Sequence, residues 1–345
     1  MLCLSGCLQT AEPSELPPPQ ATANVPAPEL VAPEASAPEP VPAFFDDADA
    51  PHLASLADSA IRRVRVGHGG RSLAFRIELE DGTKGYFKPE QSFSGAHWYS
   101  EIAAYHLDRI LGLGRTPAVS GRQIEWSRLE RAAQGYRGES SAVIDEGFVR
   151  GAFIHWIDGR LRTWHLGQDW EHFVRVRGGL DITPFQRPAD YRARINGRAE
   201  RAETELGSFA DAPETLTTEE IAELSDLILF DYLISNVDRW GGEYTNVRRV
   251  NGRLIYLDNG AGFWVNPRQG LMESRIEVLQ RFRRSTYRAL GEFRLEDYEA
   301  RLANDPLAPV LPPHQLEGLA LRVDRAIAHI DEMVERFGEE SVFIE

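Results

Sequence analysis

The chain has 345 residues, 42% hydrophobic and 10% aromatic, with a formal charge of −15. That length suits one or two globular domains, and the acidity excludes general affinity for nucleic acid or an anionic membrane surface. Both cysteines, Cys3 and Cys7, lie in the first seven residues. The rest of the chain therefore has no disulfide, cysteine metal site or thiol nucleophile.

The charge is uneven. Residues 1–61 hold nine acids and no Lys or Arg. Within residues 1–7, Leu4-Ser5-Gly6-Cys7 resembles a bacterial lipobox, in which the cysteine is lipidated. The segment lacks a basic n-region and a full apolar h-region, so it reads either as the end of a longer leader or as a chance match. Residues 8–50 carry ten of the 21 prolines among Ala, Glu and Ser. Such a stretch cannot bury a core and is expected to be a disordered linker. An anchored tether next to Cys7 would place the rest outside the cytoplasm. No apolar stretch is long enough to span a membrane.

Residues 51–345 are expected to fold. The run VGHGGRS at 66–72, with Gly69 and Gly70, frees the backbone for close approach to a ligand. It lacks P-loop spacing, so a phosphate loop and an ordinary turn stay equally open. SLAFRIELEDGTKGYFKPE, 72–90, alternates apolar and polar residues around Asp81-Gly82 and reads as a hairpin. Only Lys84 and Lys88 among the 38 basic residues are lysines. A lysine in an arginine-rich chain suggests a task for a compact ammonium, and Lys88 ends a strand where phosphate contact is plausible. The helical period at 98–111 places Glu101 in a first turn, as a dipole-compensating acid, a partner for Lys88 or a metal ligand. His106 reads as a packed mid-helix residue. Strands are expected within 114–126 and 147–159, and short helices and loops within 160–216.

Thr217 and Glu220 form a capping box for a helix that is apolar nearly all round from Leu227 onward and so should be buried centrally. It ends just before Asp238. Asn251-Gly252 marks a second hairpin, whose outgoing strand delivers Asp258. Scaffold helices are expected at 273–293 and 314–337. Arg281, Arg283 and Arg284 are candidates for contact with an acidic acceptor or, equally, exposed solubilising charge. In isolation, Asp238 and Asp258 read as turn-forming aspartates.

The order is glycine loop, lysine hairpin, helix with a glutamate, central helix, aspartate loop, hairpin and strand-end aspartate. It is the order of parts in a protein-kinase-like phosphotransferase, whose chemistry needs positioning and charge compensation. The stretches YFKPE, EIAAYHLDRILGLGRTPAVSGR, LFDYLISNVDR, YLDNGAGF and RFRRSTYRAL closely resemble the secretory-pathway kinase family of Golgi casein kinase, glycosaminoglycan xylosylkinase and four-jointed. The resemblance implies an α+β, atypical protein-kinase-like fold of two lobes. A small β-rich N-lobe (about 51–157) precedes a mostly helical C-lobe (about 158–345). It also implies ATP as donor, Mn2+ or Mg2+, and a protein Ser/Thr or glycan hydroxyl as acceptor. Lys88 and Glu101 match the nucleotide lysine and its partner, Glu101 also lying near the metal. Asp238 matches the catalytic aspartate and Asp258 the metal aspartate. Glu243 matches a second metal ligand, with Asn246 the alternative. Gly151 and the Phe153–Trp156 stretch match the adenine site loosely. Trp240 and Gly241 replace the histidines that follow the DR motif in the casein-kinase branch. A nucleotide-binding pseudokinase acting as a scaffold is the alternative.

Overall fold

The structure is a computed structural model that describes residues 43–67, 72–92, 95–136, 138–164, 166, 170–177, 185, 215–240, 246–263 and 269–345. Gly69, Gly70, Gly241, Glu243 and most of 160–216 lie outside the described residues, as do the segment expected at 1–7 and residues 8–42 of the linker expected at 8–50.

Alternation of apolar and polar residues builds a five-stranded antiparallel sheet. Its strands are β1 (Ile61–Val66), β2 (Phe75–Leu79), β3 (Lys84–Pro89), β4 (Val119–Glu125) and β5 (Phe148–His155), in the order β1-β2-β3-β5-β4. The β2–β3 turn uses Gly82 at φ 89°, a conformation open to glycine. Phe75, Ile77, Leu79, Phe87 and Phe153 point to one face and form a small core with Leu56 and Leu129. Those last two come from α1 (Asp49–Asp58) and α3 (Trp126–Ala133). Period-two alternation along β3 therefore turns Tyr86 and Lys88 to the other face.

Against the sheet packs α2 (Trp98–Ile110). A buried polar knot fixes it. The Arg109 guanidinium donates to Asp49 at 2.6 and 3.0 Å and pairs with Asp108, while Asp108 accepts the backbone N–H groups of Arg115 and Thr116. His106 on the same helix is packed, as its mid-helix position suggests. Burial first, then the Arg301 and Arg109 charges, pushes its imidazole down to about 4. The unfolded chain takes up that proton nearer the ordinary value, so this stability term is whole above about pH 6.5 and falls as pH drops toward 4. His106→Gln is expected to remove about 2–3 kcal/mol of acid sensitivity, read as the wild-type-minus-variant difference in urea unfolding between these pH values.

The helical lobe forms around α4 (Thr218–Leu233). Its capping box is complete: Glu220 N–H donates to the Thr217 hydroxyl at 3.2 Å, and Thr217 N–H to the Glu220 carboxylate at 2.9 Å. Every residue from Ile221 to Leu233 is buried, Glu223, Ser225, Asp226 and Asp231 among them, so from Ile221 onward the helix turns no face to solvent. Thr217→Ala is expected to lower stability by about 1 kcal/mol in denaturant unfolding. Beyond α4, β6 (Arg162–Thr163), β7 (Val247–Val250) and β8 (Arg253–Tyr256) form a small sheet in the order β8-β7-β6. Asn251 and Gly252 both take positive φ, as a tight two-residue hairpin requires.

The 273–293 stretch is not one helix. It divides into α5 (Gln269–Ile276), the short β9 (Phe282–Arg283) and α6 (Arg284–Glu292). The break comes where the Gln280 and Arg281 N–H groups bond Val174 O and β9 pairs with β10 (Phe343–Ile344). Arg283 is held by Asp226 and Glu219, and Arg284 by Glu339 and Glu345. Two of the three arginines considered for an acidic acceptor are thus engaged inside the fold. α7 (Leu295–Ala303), α8 (Pro313–Phe337) and the short α9 (Glu339–Val342) complete the helical layer. Among the described residues no helix is long and apolar enough to cross a membrane.

Candidate functional site

Three elements converge on one ammonium. Lys88 from β3 donates to Glu101 of α2 at 2.6 Å and to Asp258, just past β8, at 2.5 Å. Glu101 is 2% exposed and Lys88 13%, whereas the Asp258 side chain is 52% exposed. Burial works against the Lys88 charge, but the Asp258 and Glu101 carboxylates outweigh it and hold the ammonium well above its usual range. Lys88 in turn draws Asp258 below the ordinary carboxylate range against the effect of burial. Asn246 at the start of β7 donates to the second Asp258 oxygen at 3.1 Å.

Asp258 sits at φ 59°, ψ 56°, a left-handed conformation that Asp tolerates better than most residues. The turn after it is clamped to the start of α2. His97 N–H donates to Gly260 O at 2.9 Å, and the Ser100 hydroxyl to Gly262 O at 2.7 Å. A Cβ on Gly260 would stand 3.4 Å from the Glu101 carboxylate. The Asp258 turn thus packs closely on the helix that carries Glu101.

Beside the ion cluster lies a cavity of about 320 Å³. Its lining mixes charged and polar groups, Lys88, Asp258, Asn246, Arg76 and Arg248, with Tyr86, Ile154, Trp156, Ile157, Leu161 and Leu257. Of the stretch matched loosely to an adenine site, Ile154, His155 and Trp156 line this cavity, whereas Phe153 faces the small core and Gly151 is absent from the lining. Gly151 pairs with Pro89, and a Cβ there would strike the Lys88 carbonyl.

Asp238 stands outside the bonded set, exposed on the loop that follows α4. Its N–H donates to the Asn236 side chain at 3.2 Å, so Asn236 and not Asp238 closes the local turn. The next residue, Arg239, is fully buried. It donates to both Asp231 oxygens at 2.8 and 2.9 Å, to Leu257 O and to Asn259 at 2.6 Å. One guanidinium thereby joins the Asp238 loop to both sides of Asp258. Trp240 also donates to Asp231, at 2.9 Å, and stacks on Trp170. Burial raises the Asp231 carboxyl and Arg239 opposes that. Arg239→Met strands this acid and is expected to cost about 3 kcal/mol in chemical unfolding, partly recovered by adding Asp231→Asn. The roles of Arg239, Asp231 and Asn259 follow no local sequence rule. The available signal is an acid, Asp231, inside the apolar run Leu227–Leu233.

A family model described as "Golgi casein kinase, C-terminal, Fam20" matches residues 46–134 and 184–342, most of the chain. The chain belongs to the Fam20 family. Human glycosaminoglycan xylosylkinase is 24% identical to it over 84% of this chain and 76% of its own length. Human extracellular serine/threonine protein kinase FAM20C is 26% identical over 84% of this chain, which spans 55% of that relative's length. The family also includes mouse pseudokinase FAM20A, 23% identical over 81% of this chain. The solved structure described as the Golgi casein kinase with Mn/ADP bound superposes with a TM-score of 0.60 at 18% identity, covering 86% of this chain and 78% of that one. Hydra Fam20 with sugar gives 0.60 at 20% identity, covering 85% and 91%. The fold is therefore the protein-kinase-like, two-lobed α+β fold, with a β-rich small lobe and a mostly helical large one.

Proposed function

We propose that this Fam20 protein is an ATP-dependent, metal-assisted kinase that transfers the γ-phosphoryl group to a hydroxyl of an extracytoplasmic protein Ser/Thr or glycan acceptor. The observation that carries the reading is the Lys88 ammonium held between Glu101 and Asp258 in the lining of a half-apolar cavity. A flat base suits Trp156, Ile157 and Leu257, and the charged groups suit phosphates. The kinase names of relatives and the Mn/ADP-bound neighbour support it.

The donor set fits a hard divalent cation. Asp258 offers a half-exposed carboxylate, Glu101 a second, and rotation of the Asn246 amide brings its oxygen beside Asp258. Glu243, outside the described residues, is the further ligand expected. Bound there, Mn2+ or Mg2+ supplies charge compensation at the phosphate oxygens. Lys88 orients the phosphates and Glu101 fixes Lys88. Asp238 takes the acceptor hydroxyl's proton as that oxygen bonds the γ-phosphorus and the bridging oxygen leaves with ADP.

The extracytoplasmic part of the reading rests on Cys7 as a lipid anchor, on the proline-rich linker, and on relatives named extracellular kinases. No nucleic acid is expected as partner. The test is γ-phosphate transfer by the full chain with Mn2+ or Mg2+ to Ser/Thr peptides and to glycans. Transfer to one class names the acceptor. Tight ATP binding with no transfer to either points to the pseudokinase scaffold.

A further inference from the structure

The small lobe's sheet ends in an arginine-lined groove away from Lys88. β1 is the outer strand and pairs only with β2, so no other described strand uses its far edge. Between β1 and the neighbouring α3 lies a groove of about 620 Å³. Half-buried Ile61, Val64 and Val66 pack on the small core beneath it. Its rims carry Arg62, Arg63 and Arg65 from β1 and Arg128 and Arg131 from α3, all exposed.

These charges are largely uncompensated. Arg62 reaches Glu78 at 3.1 Å, and Arg128 lies 3.8 Å from Glu125. Arg63, Arg65 and Arg131 make no ion pair with a described residue. Arg65 also stands directly opposite Arg76 on β2. Two like charges facing each other across an antiparallel pair repel, which destabilises the free sheet. Acids do stand beside the groove, Glu78 opposite Arg63 on β2 and Glu125 before α3, but the groove's own lining carries five arginines and no acid. Violations of local pairing of this kind persist where a ligand relieves them.

Charge on an edge strand ordinarily keeps other strands away. A rim of one sign does so selectively: it rejects a second basic edge, including a copy of this one, and admits an acidic strand. We propose that the groove docks an extended acidic peptide segment of a partner protein, added to the sheet along the free edge of β1. Main-chain bonds to β1 hold it, as in strand addition generally. Alternate carboxylates meet Arg63, Arg65 and Arg131, and the apolar side chains between them cover Ile61 and Val64. The site needs neither nucleotide nor phosphoryl transfer, so it stands or falls independently of the kinase reading.

The test is fluorescence anisotropy of a labelled peptide of alternating Glu and Val, with the full chain and no nucleotide. Saturable binding is expected, weakened roughly tenfold between about 50 and 300 mM salt and absent for a Lys/Val peptide. Arg63→Glu with Arg65→Glu should weaken it by at least roughly tenfold while the far-UV circular dichroism of the folded chain is kept, since both side chains are exposed. A peptide N-methylated at every second residue cannot pair as a strand and should bind at least roughly tenfold more weakly. No saturable binding overturns the proposal, as does indifference to charge reversal. Equal binding of the N-methylated peptide or of inorganic polyphosphate also overturns it, because the groove would then be a general polyanion patch.

Discussion

Asp258→Asn is expected to reduce phosphoryl transfer by about 10³-fold or more and to weaken metal-dependent ATP binding. The substitution keeps the side chain's shape and its tolerance of the left-handed backbone at φ 59°. What it removes is one negative charge, and that charge has two tasks. It holds Lys88 at 2.5 Å together with Glu101, and it is the most exposed oxygen donor of the proposed metal site. With asparagine there, Lys88 pairs with Glu101 alone, and the cation loses its strongest ligand. Lys88 keeps Asp258 ionised below the usual carboxylate pH range. The ion pair therefore persists through mildly acidic conditions and is lost only as pH falls through that depressed value. A coupled transfer assay with a Mn2+ titration checks the expectation, and unchanged turnover would remove Asp258 from the metal site.

The parts of the site that the sequence displayed are those governed by local rules. The Asp81-Gly82 and Asn251-Gly252 turns, the Thr217–Glu220 box and the strand period around Lys88 are short-range signals, and each appears where expected. What stayed hidden depends on partners distant in the chain. β1 reads IRRVRV, and a register shift between Ile61 and Arg63 breaks the alternation that would have marked it as a strand. The polar knot of Asp49, Asp108 and Arg109 and the Arg239 clamp are ion pairs between segments, with no spacing rule to betray them. The 273–293 stretch has helical character throughout, but the parallel pairing of β9 with β10 overrides it at Phe282. Asn246, by contrast, is already a candidate in the sequence, and the β7–β8 hairpin brings it to Asp258 by folding back on itself.

Asp238→Ala should separate catalysis from folding. A capping aspartate would bond the backbone through its carboxylate, and truncating it would lower stability by about 1 kcal/mol. In the structure that work falls to Asn236, whose side chain accepts the Asp238 N–H. The loop is braced on either side of Asp238: Arg239 ties it to Asp231, Leu257 and Asn259, and Arg275 lies against the Asn236 and Val237 carbonyls. Asp238 itself is exposed, and among the described residues its carboxylate accepts no hydrogen bond. An acid held on a rigid loop with its oxygens uncommitted is placed to receive a proton rather than to hold the fold. The substitution is accordingly expected to lower kcat by about 10²–10⁴-fold. ATP affinity should change less than about twofold, and unfolding by less than about 0.5 kcal/mol. A large drop in stability with a proportionate drop in activity would return Asp238 to a structural role and leave the acceptor proton without a base on this loop.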